Sequence, residues 1–177
     1  HDKLIDKRIK QISIFGFAHP HESQAGHDLT YQAKVGLCFP PLLPQTLIAD
    51  LAGAEHVVQK ALILLLSRNK TKATHQKVSL AESARLYFEP IHYKLTSRNG
   101  PLTGKLCTYA LYQTRDSKWV ALAALEEKFQ NNLRDLVSDN LTAENLKSLF
   151  LTKTAKEWEN WATKNSFPLT EVKKCNY

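Results

Sequence analysis

Between Gly26 and Asp50 the chain places one imidazole, His27, and two carboxylates, Asp28 and Asp50. A histidine and a carboxylate that share a cleft can take a proton from one face of an acidic carbon and return one to the other face, each acting as base in one direction and acid in the other. A carbon acid beside a carbonyl is weak, so such a site also needs donors aimed at the enolate oxygen that forms as the proton leaves. The same residues carry a plainer reading. A histidine ahead of an aspartate is ordinarily a surface or helix-capping residue, and Asp50 at the head of an apolar run is ordinarily a first-turn helix acid. Which reading holds depends on the elements that position these groups.

Ile12, Ile14 and Phe17 around Gly16 predict a buried strand within 10–17, ending in a loop. In open α/β sheets ligands bind beyond the carboxyl ends of strands, so the loop at 18–26 lies beside any cleft, and the histidine follows it directly. A short helix is expected at 28–34, stopped by Gly36. Pro40, Pro41 and Pro44 exclude a helix across 38–45, because proline lacks the amide donor and restricts its predecessor. Residues 47–66 repeat apolar side chains at helical spacing, which puts Asp50 in a first turn where the helix dipole favours a carboxylate. Residues 78–88 read as a short strand running into a helix ended by Glu89-Pro90, and 89–106, with Pro90, Asn99-Gly100-Pro101 and Gly104, as a linker. Beyond it, 108–114 and 118–123 form a hairpin turning at Arg115-Asp116-Ser117. Helices follow at 126–137, 142–150 and 154–163, the last announced by a capping box of Thr154 and Glu157. The fold class is α/β, with a large lobe at 1–88, a linker at 89–106 and a small α+β lobe at 107–177. Trp158 and Trp161 read as core or interface anchors.

At 177 residues the chain can bury roughly two thirds of its extended surface. A composition of 43% hydrophobic and 23% charged residues excludes a disordered or fibrous protein. The net charge of +7 attracts anions in general. The one dense basic run, 68–72, has no aromatic interleaved to stack bases, so specific nucleic-acid binding is not expected. Cys38, Cys107 and Cys175 are odd in number and far apart, which suits neither a disulfide framework nor a zinc site. A reducing, cytoplasmic setting without a metal is the expectation. His19 and His21 lack further ligands nearby and read as a solvent-exposed loop. The apolar run 61–66 is far short of the roughly 20 residues a membrane helix requires. The first residues carry no apolar signal segment, and with no methionine anywhere the sequence reads as starting downstream of a translation start.

The blocks Ile14-Phe15-Gly16-Phe17, Gly26-His27-Asp28-Leu29-Thr30-Tyr31, Asp50, the hairpin from Tyr112 to Val120, Ala124-Leu125-Glu126-Glu127-Lys128-Phe129 and Glu157-Trp158 occur in the order of one known family. Over nearly its whole length the chain resembles the family III CoA-transferases, the CaiB/BaiF group. The glycine-histidine-aspartate signature followed by Tyr31 is most similar to the alpha-methylacyl-CoA racemase branch. The resemblance implies helical segments of a large lobe plus a small α+β lobe with a β-hairpin. It implies an acyl-CoA thioester as substrate, with no separate cofactor, and a 1,1-proton transfer through an enolate.

In that reading His27 and Asp50 face opposite sides of the carbon, and Glu126 assists from the small lobe of a second subunit in an interlocked homodimer. Gly26, His27, Asp28, Leu29, Thr30 and Tyr31 touch the acyl-CoA. In the transferase branch the residue matching Asp50 is instead a nucleophile that forms an acyl anhydride and then gives way to an enzyme thioester. The family is about twice this length, and its N-terminal nucleotide-binding half, which supplies most CoA contacts, is missing here. Leu51-Ala52-Gly53-Ala54 replaces a glycine run, Thr46 an asparagine and Glu127 a proline. The chain is then either a portion or short form of the enzyme, completed by a separate chain, or a non-catalytic relative that serves as an assembly module. Trp158, Trp161 and the hairpin aromatics are expected on the surface, covered by self-association.

Overall fold

The computed structural model describes residues 10–67, 75–138 and 140–173. The basic run at 68–72 and Cys175 lie outside the described residues. Two units are present, His1–Glu89 and Pro90–Tyr177.

In the first unit β1 (Gln11–Phe15) pairs in parallel with β2 (His75–Ser79), Ile14 opposite Val78. Parallel neighbours need a crossover of a dozen residues or more, and α1 (Asp28–Lys34) and α2 (Ile48–Leu66) lie within it. The strand expected to begin at 78 begins at His75, and α3 (Leu80–Arg85) follows it without a loop because Ser79 caps the helix, its Oγ accepting from Glu82 N–H at 3.3 Å. A single helical turn, Leu86–Phe88, leads into α4 (Glu89–His92). Glu89-Pro90 therefore starts a helical turn where the sequence reading ended one; proline near a helix start loses no hydrogen bond. The core of this unit is Phe17, Tyr31, Ala49, Ala81 and Ala84, with Val35, Leu37 and Leu80 packed on it. Gly53 lets α2 approach α3, since a Cβ there would collide with the Leu80 side chain. Of α2 only Ala49, Ala52, Gly53 and Leu64 are buried, while Leu51, Val58, Leu62, Ile63, Leu65 and Leu66 are exposed.

The second unit takes in nearly all of the stretch read as a linker, which carries most of α4 and a turn at Pro101–Lys105 where Gly104 adopts φ +83°. A three-stranded antiparallel sheet follows, ordered β3-β4-β5: β3 (Tyr109–Gln113), β4 (Trp119–Ala123) and β5 (Leu169–Glu171). The hairpin stands where the alternation predicts it, Tyr112 opposite Val120. The sequence reading has no β5, a strand of three residues. Helices α5 (Glu127–Val137), α6 (Ala143–Phe150) and α7 (Ala155–Lys164) pack on the sheet around an aromatic relay. Ring centroids are 4.9 Å apart from Tyr112 to Phe150, 5.2 Å from Phe150 to Trp158 and 5.7 Å from Trp158 to Trp161. Trp158 is 2% exposed and donates from Nε1 to the Phe150 carbonyl at 3.0 Å. The expectation that Trp158 offers a surface for self-association is therefore corrected: the tryptophan is the centre of this core. Of the hairpin aromatics, Tyr112 is buried and Trp119 remains exposed.

Candidate functional site

His27 is the N-cap of α1, in extended conformation at φ −138° and ψ 172°. Thr30 closes the cap through the His27 backbone: its Oγ1 accepts from His27 N–H at 3.0 Å, and its hydroxyl donates to the His27 carbonyl at 2.7 Å. The imidazole-bearing residue stays exposed to solvent. The plain reading of His27 as a capping residue thus holds for its backbone and leaves the ring available.

Asp28 is 4% exposed, and both of its carboxylate oxygens are engaged. Oδ2 accepts from Asp50 N–H at 2.9 Å, and Oδ1 accepts from the Gln32 side-chain amide, which also donates to the Thr46 carbonyl at 2.9 Å. The first amides of a helix lack intrahelical partners, and Leu47, the N-cap of α2, has no side-chain acceptor to offer. Asp28 supplies that acceptor from α1, in a charge-assisted bond. In consequence the residue next to His27 is pinned to the backbone of Asp50. Asp50 is itself exposed in the first turn of α2, and its carboxylate forms no hydrogen bond or ion pair among the described residues. Gln32, 1% exposed, is the functional neighbour that sequence reading missed; its signal is a polar side chain one helical turn after Asp28.

Tyr31 is buried against Phe17 in an edge-on contact at 4.9 Å, and its hydroxyl donates to the Gly26 carbonyl at 2.7 Å. The glycine at 26 is required by this packing, since a Cβ there would lie 2.6 Å from the Tyr31 ring and 2.9 Å from that of Phe17. Of the six residues expected to touch a substrate, His27, Leu29 and Thr30 are exposed and Gly26 is half-buried. Asp28 and Tyr31 direct their polar atoms into the protein. Glu126 belongs to the second unit, where it is the exposed N-cap of α5.

Among the described residues no three histidine, cysteine, aspartate or glutamate side chains gather as a metal site requires, and Cys38 and Cys107 are free thiols. No helix of the described residues is long and apolar enough to cross a membrane. His19 and His21 lie on an exposed loop, turned by His21 N–H donating to the Ala18 carbonyl at 2.8 Å.

A CaiB/BaiF CoA-transferase family protein of Caenorhabditis elegans is 29% identical over 178 residues, which cover 86% of this chain and 52% of that protein. The chain thus spans about half the length of the curated relative it matches. A crystal structure of a hypothetical protein from Mycobacterium tuberculosis superposes with a TM-score of 0.71 at 18% identity, covering 92% of this chain and 52% of that one. A CaiB/BaiF family protein from Brucella suis gives 0.61 at 17% identity, with 92% and 52% covered. These two likenesses are of fold. The family model for CoA-transferase family III matches residues 8–176, and to that family the chain belongs.

Proposed function

We propose that the His27–Asp50 region carries alpha-proton transfer on a 2-methylacyl-CoA thioester. One observation supports the reading above the others: the Asp28 carboxylate ties the segment that bears His27 to the Asp50 amide at 2.9 Å, while both His27 and Asp50 remain exposed. An imidazole and a carboxylate carried on backbones joined in this way can serve as the two acid/base groups of a 1,1-proton transfer, one removing the proton and the other returning it. Family membership supports acyl-CoA as the substrate class. Glu126 is assigned by the family resemblance as an assisting carboxylate from a second copy of the chain, in a homodimer, or else the remaining contacts come from a separate chain. The same reading takes the thioester itself as the reactive group, with no further cofactor, in the cytoplasm.

The transferase reading has its own support in the family and in the exposed, unpartnered Asp50 carboxylate. There Asp50 attacks the thioester carbonyl, coenzyme A leaves as the thiolate, and an acyl anhydride remains on the enzyme. The two readings separate in one experiment. Incubation with 2-methylacyl-CoA in deuterium oxide is expected to exchange the alpha proton. His27→Ala and Asp50→Ala are each expected to lower that exchange by roughly a hundred to ten thousandfold, with circular dichroism unchanged. A covalent acyl or CoA adduct by intact mass, lost in Asp50→Ala and kept in His27→Ala, selects the transferase. Neither exchange nor adduct in the wild type leaves the fold as an assembly module.

A further inference from the structure

Where the chain leaves β1, a cavity of about 330 Å³ opens between that exit, the end of α1 and α3. Its floor is apolar, made by the Phe17, Val35 and Phe88 side chains. Its rim carries two cations, Lys34 and Arg85, with the imidazoles of His19 and His21 beside them. Among the described residues the only acid lining it is Glu82, which faces the Arg85 Nε at 3.6 Å and so answers a charge already present. Lys34 forms no ion pair or hydrogen bond with any described side chain, which leaves one uncompensated ammonium beside an aromatic floor. Neither His27 nor Asp50 lines this space.

Apolar walls recover free energy only from an apolar ligand, and a single unmatched cation favours one negative charge on it. Small-molecule sites are of this kind, mostly apolar with a few convergent polar groups that fix orientation. We propose that the cavity binds an amphipathic monocarboxylate: an aryl or short branched hydrocarbon seated on Phe17 and Phe88, with its carboxylate between Lys34 and the free edge of the Arg85 guanidinium. A guanidinium presents a planar fork that matches a carboxylate, and the volume suits a ligand of about ten heavy atoms. The site stands whether or not proton transfer occurs at His27 and Asp50.

The test is titration calorimetry of the full chain with 3-phenylpropionate, its alcohol 3-phenylpropan-1-ol, and inorganic phosphate. Saturable one-to-one binding of the carboxylate is expected, at least tenfold tighter than that of the alcohol, with no comparable binding of phosphate. Lys34→Glu should remove the binding and Arg85→Gln weaken it at least fivefold, each with unchanged circular dichroism. Asp50→Ala should retain it, so that failure here is distinct from failure of the proton-transfer reading. Equal affinity for acid and alcohol overturns the cationic rim, equal affinity for phosphate overturns the apolar floor, and undiminished binding by Lys34→Glu overturns the location. Should Lys34→Glu fail to fold, Lys34→Gln is expected to weaken the carboxylate at least fivefold and leave the alcohol unchanged, and any other result overturns the site.

Discussion

The Asp28 carboxylate accepts from the Asp50 amide and from the Gln32 side chain while almost wholly shut off from water. Asp28→Ala leaves the buried Gln32 amide and the Asp50 N–H without that partner, which costs about 1–3 kcal/mol. Chemical denaturation should show the loss, and Asp28→Asn should recover part of it, since an amide oxygen can still accept from one donor. Because the same carboxylate holds the His27 segment against α2, alpha-proton exchange is expected to fall in Asp28→Ala even under conditions where the variant is fully folded. Exchange at the wild-type rate in a folded Asp28→Ala protein would show that this tie does not position the site. Gly26 is constrained from the other side of His27. Gly26→Ala presses a methyl group onto the Tyr31 and Phe17 rings, and overpacking of this kind costs about 1–3 kcal/mol, read as a lowered denaturation midpoint.

Helix α7 is tied to its surroundings through the carboxylates of Glu157 and Glu159 and through Trp158 between them. At its start Glu157 accepts from Thr154 N–H at 2.8 Å and Thr154 Oγ1 accepts from Glu157 N–H at 3.2 Å, the capping box that the sequence announces. The hairpin turn joins in: Asp116 accepts from Ala155 N–H at 3.1 Å, and Arg115 pairs with Glu157 at 3.1 Å. Further along, Glu159 accepts from Lys156 at 2.7 Å and from the Thr170 hydroxyl at 2.9 Å, which fastens β5. The Lys156 hydrogen bond, followed by that from Thr170, holds the Glu159 carboxyl down to about 2, and hydrogen bonds also lower Asp116 and Glu157. A carboxyl lowered by folding stabilises the protein fully above its ordinary value and loses that contribution as pH falls through the folded value. Thermal midpoints should therefore drop between about pH 4.5 and about pH 2, and Glu159→Gln should flatten that slope while lowering the midpoint at neutral pH. Trp158→Ala removes the centre of the aromatic relay and should cost about 3–5 kcal/mol, enough to unfold the second unit in a denaturant titration.

A helical stretch that is apolar all round, as residues 61–66 of α2 are, belongs in a core or an interface, and α2 exposes six large aliphatic side chains in the described unit. A parallel pair of strands is likewise ordinarily covered on both faces, yet Ile14 is exposed. These surfaces, rather than Trp158, now carry the expectation that the chain associates. Light scattering should report a dimer or larger species, and a monomer at high concentration would end that expectation. The resemblance assigns most CoA contacts to a half of the relatives that this chain does not match. Calorimetry is accordingly expected to show weak binding of CoA that fades with salt, as attraction of phosphates to a net charge of +7 does. Tight binding insensitive to salt would contradict it.

Helices α1 and α2, the hairpin and the capping box of α7 were legible in the chain because their causes are local: apolar spacing, a stop glycine, prolines that bar a helix, and a threonine three residues before a glutamate. The family was legible for a related reason, since short blocks in a shared order survive when most other positions change. His27 and Asp50 were visible as chemical types, but their spatial relation was not. It rests on a hydrogen bond between residues 22 apart, made by the aspartate that the motif offered as a substrate contact. Strand β5 escaped because three residues are too few to show alternation, and its pairing with β4 comes from a partner distant in sequence. The burial of Trp158 has the same origin. Helical spacing places Trp158 and Trp161 on one side of α7 but does not say what that side meets. Phe150, Tyr112 and the sheet behind them settled it, because burial depends on neighbours that only the folded chain assembles.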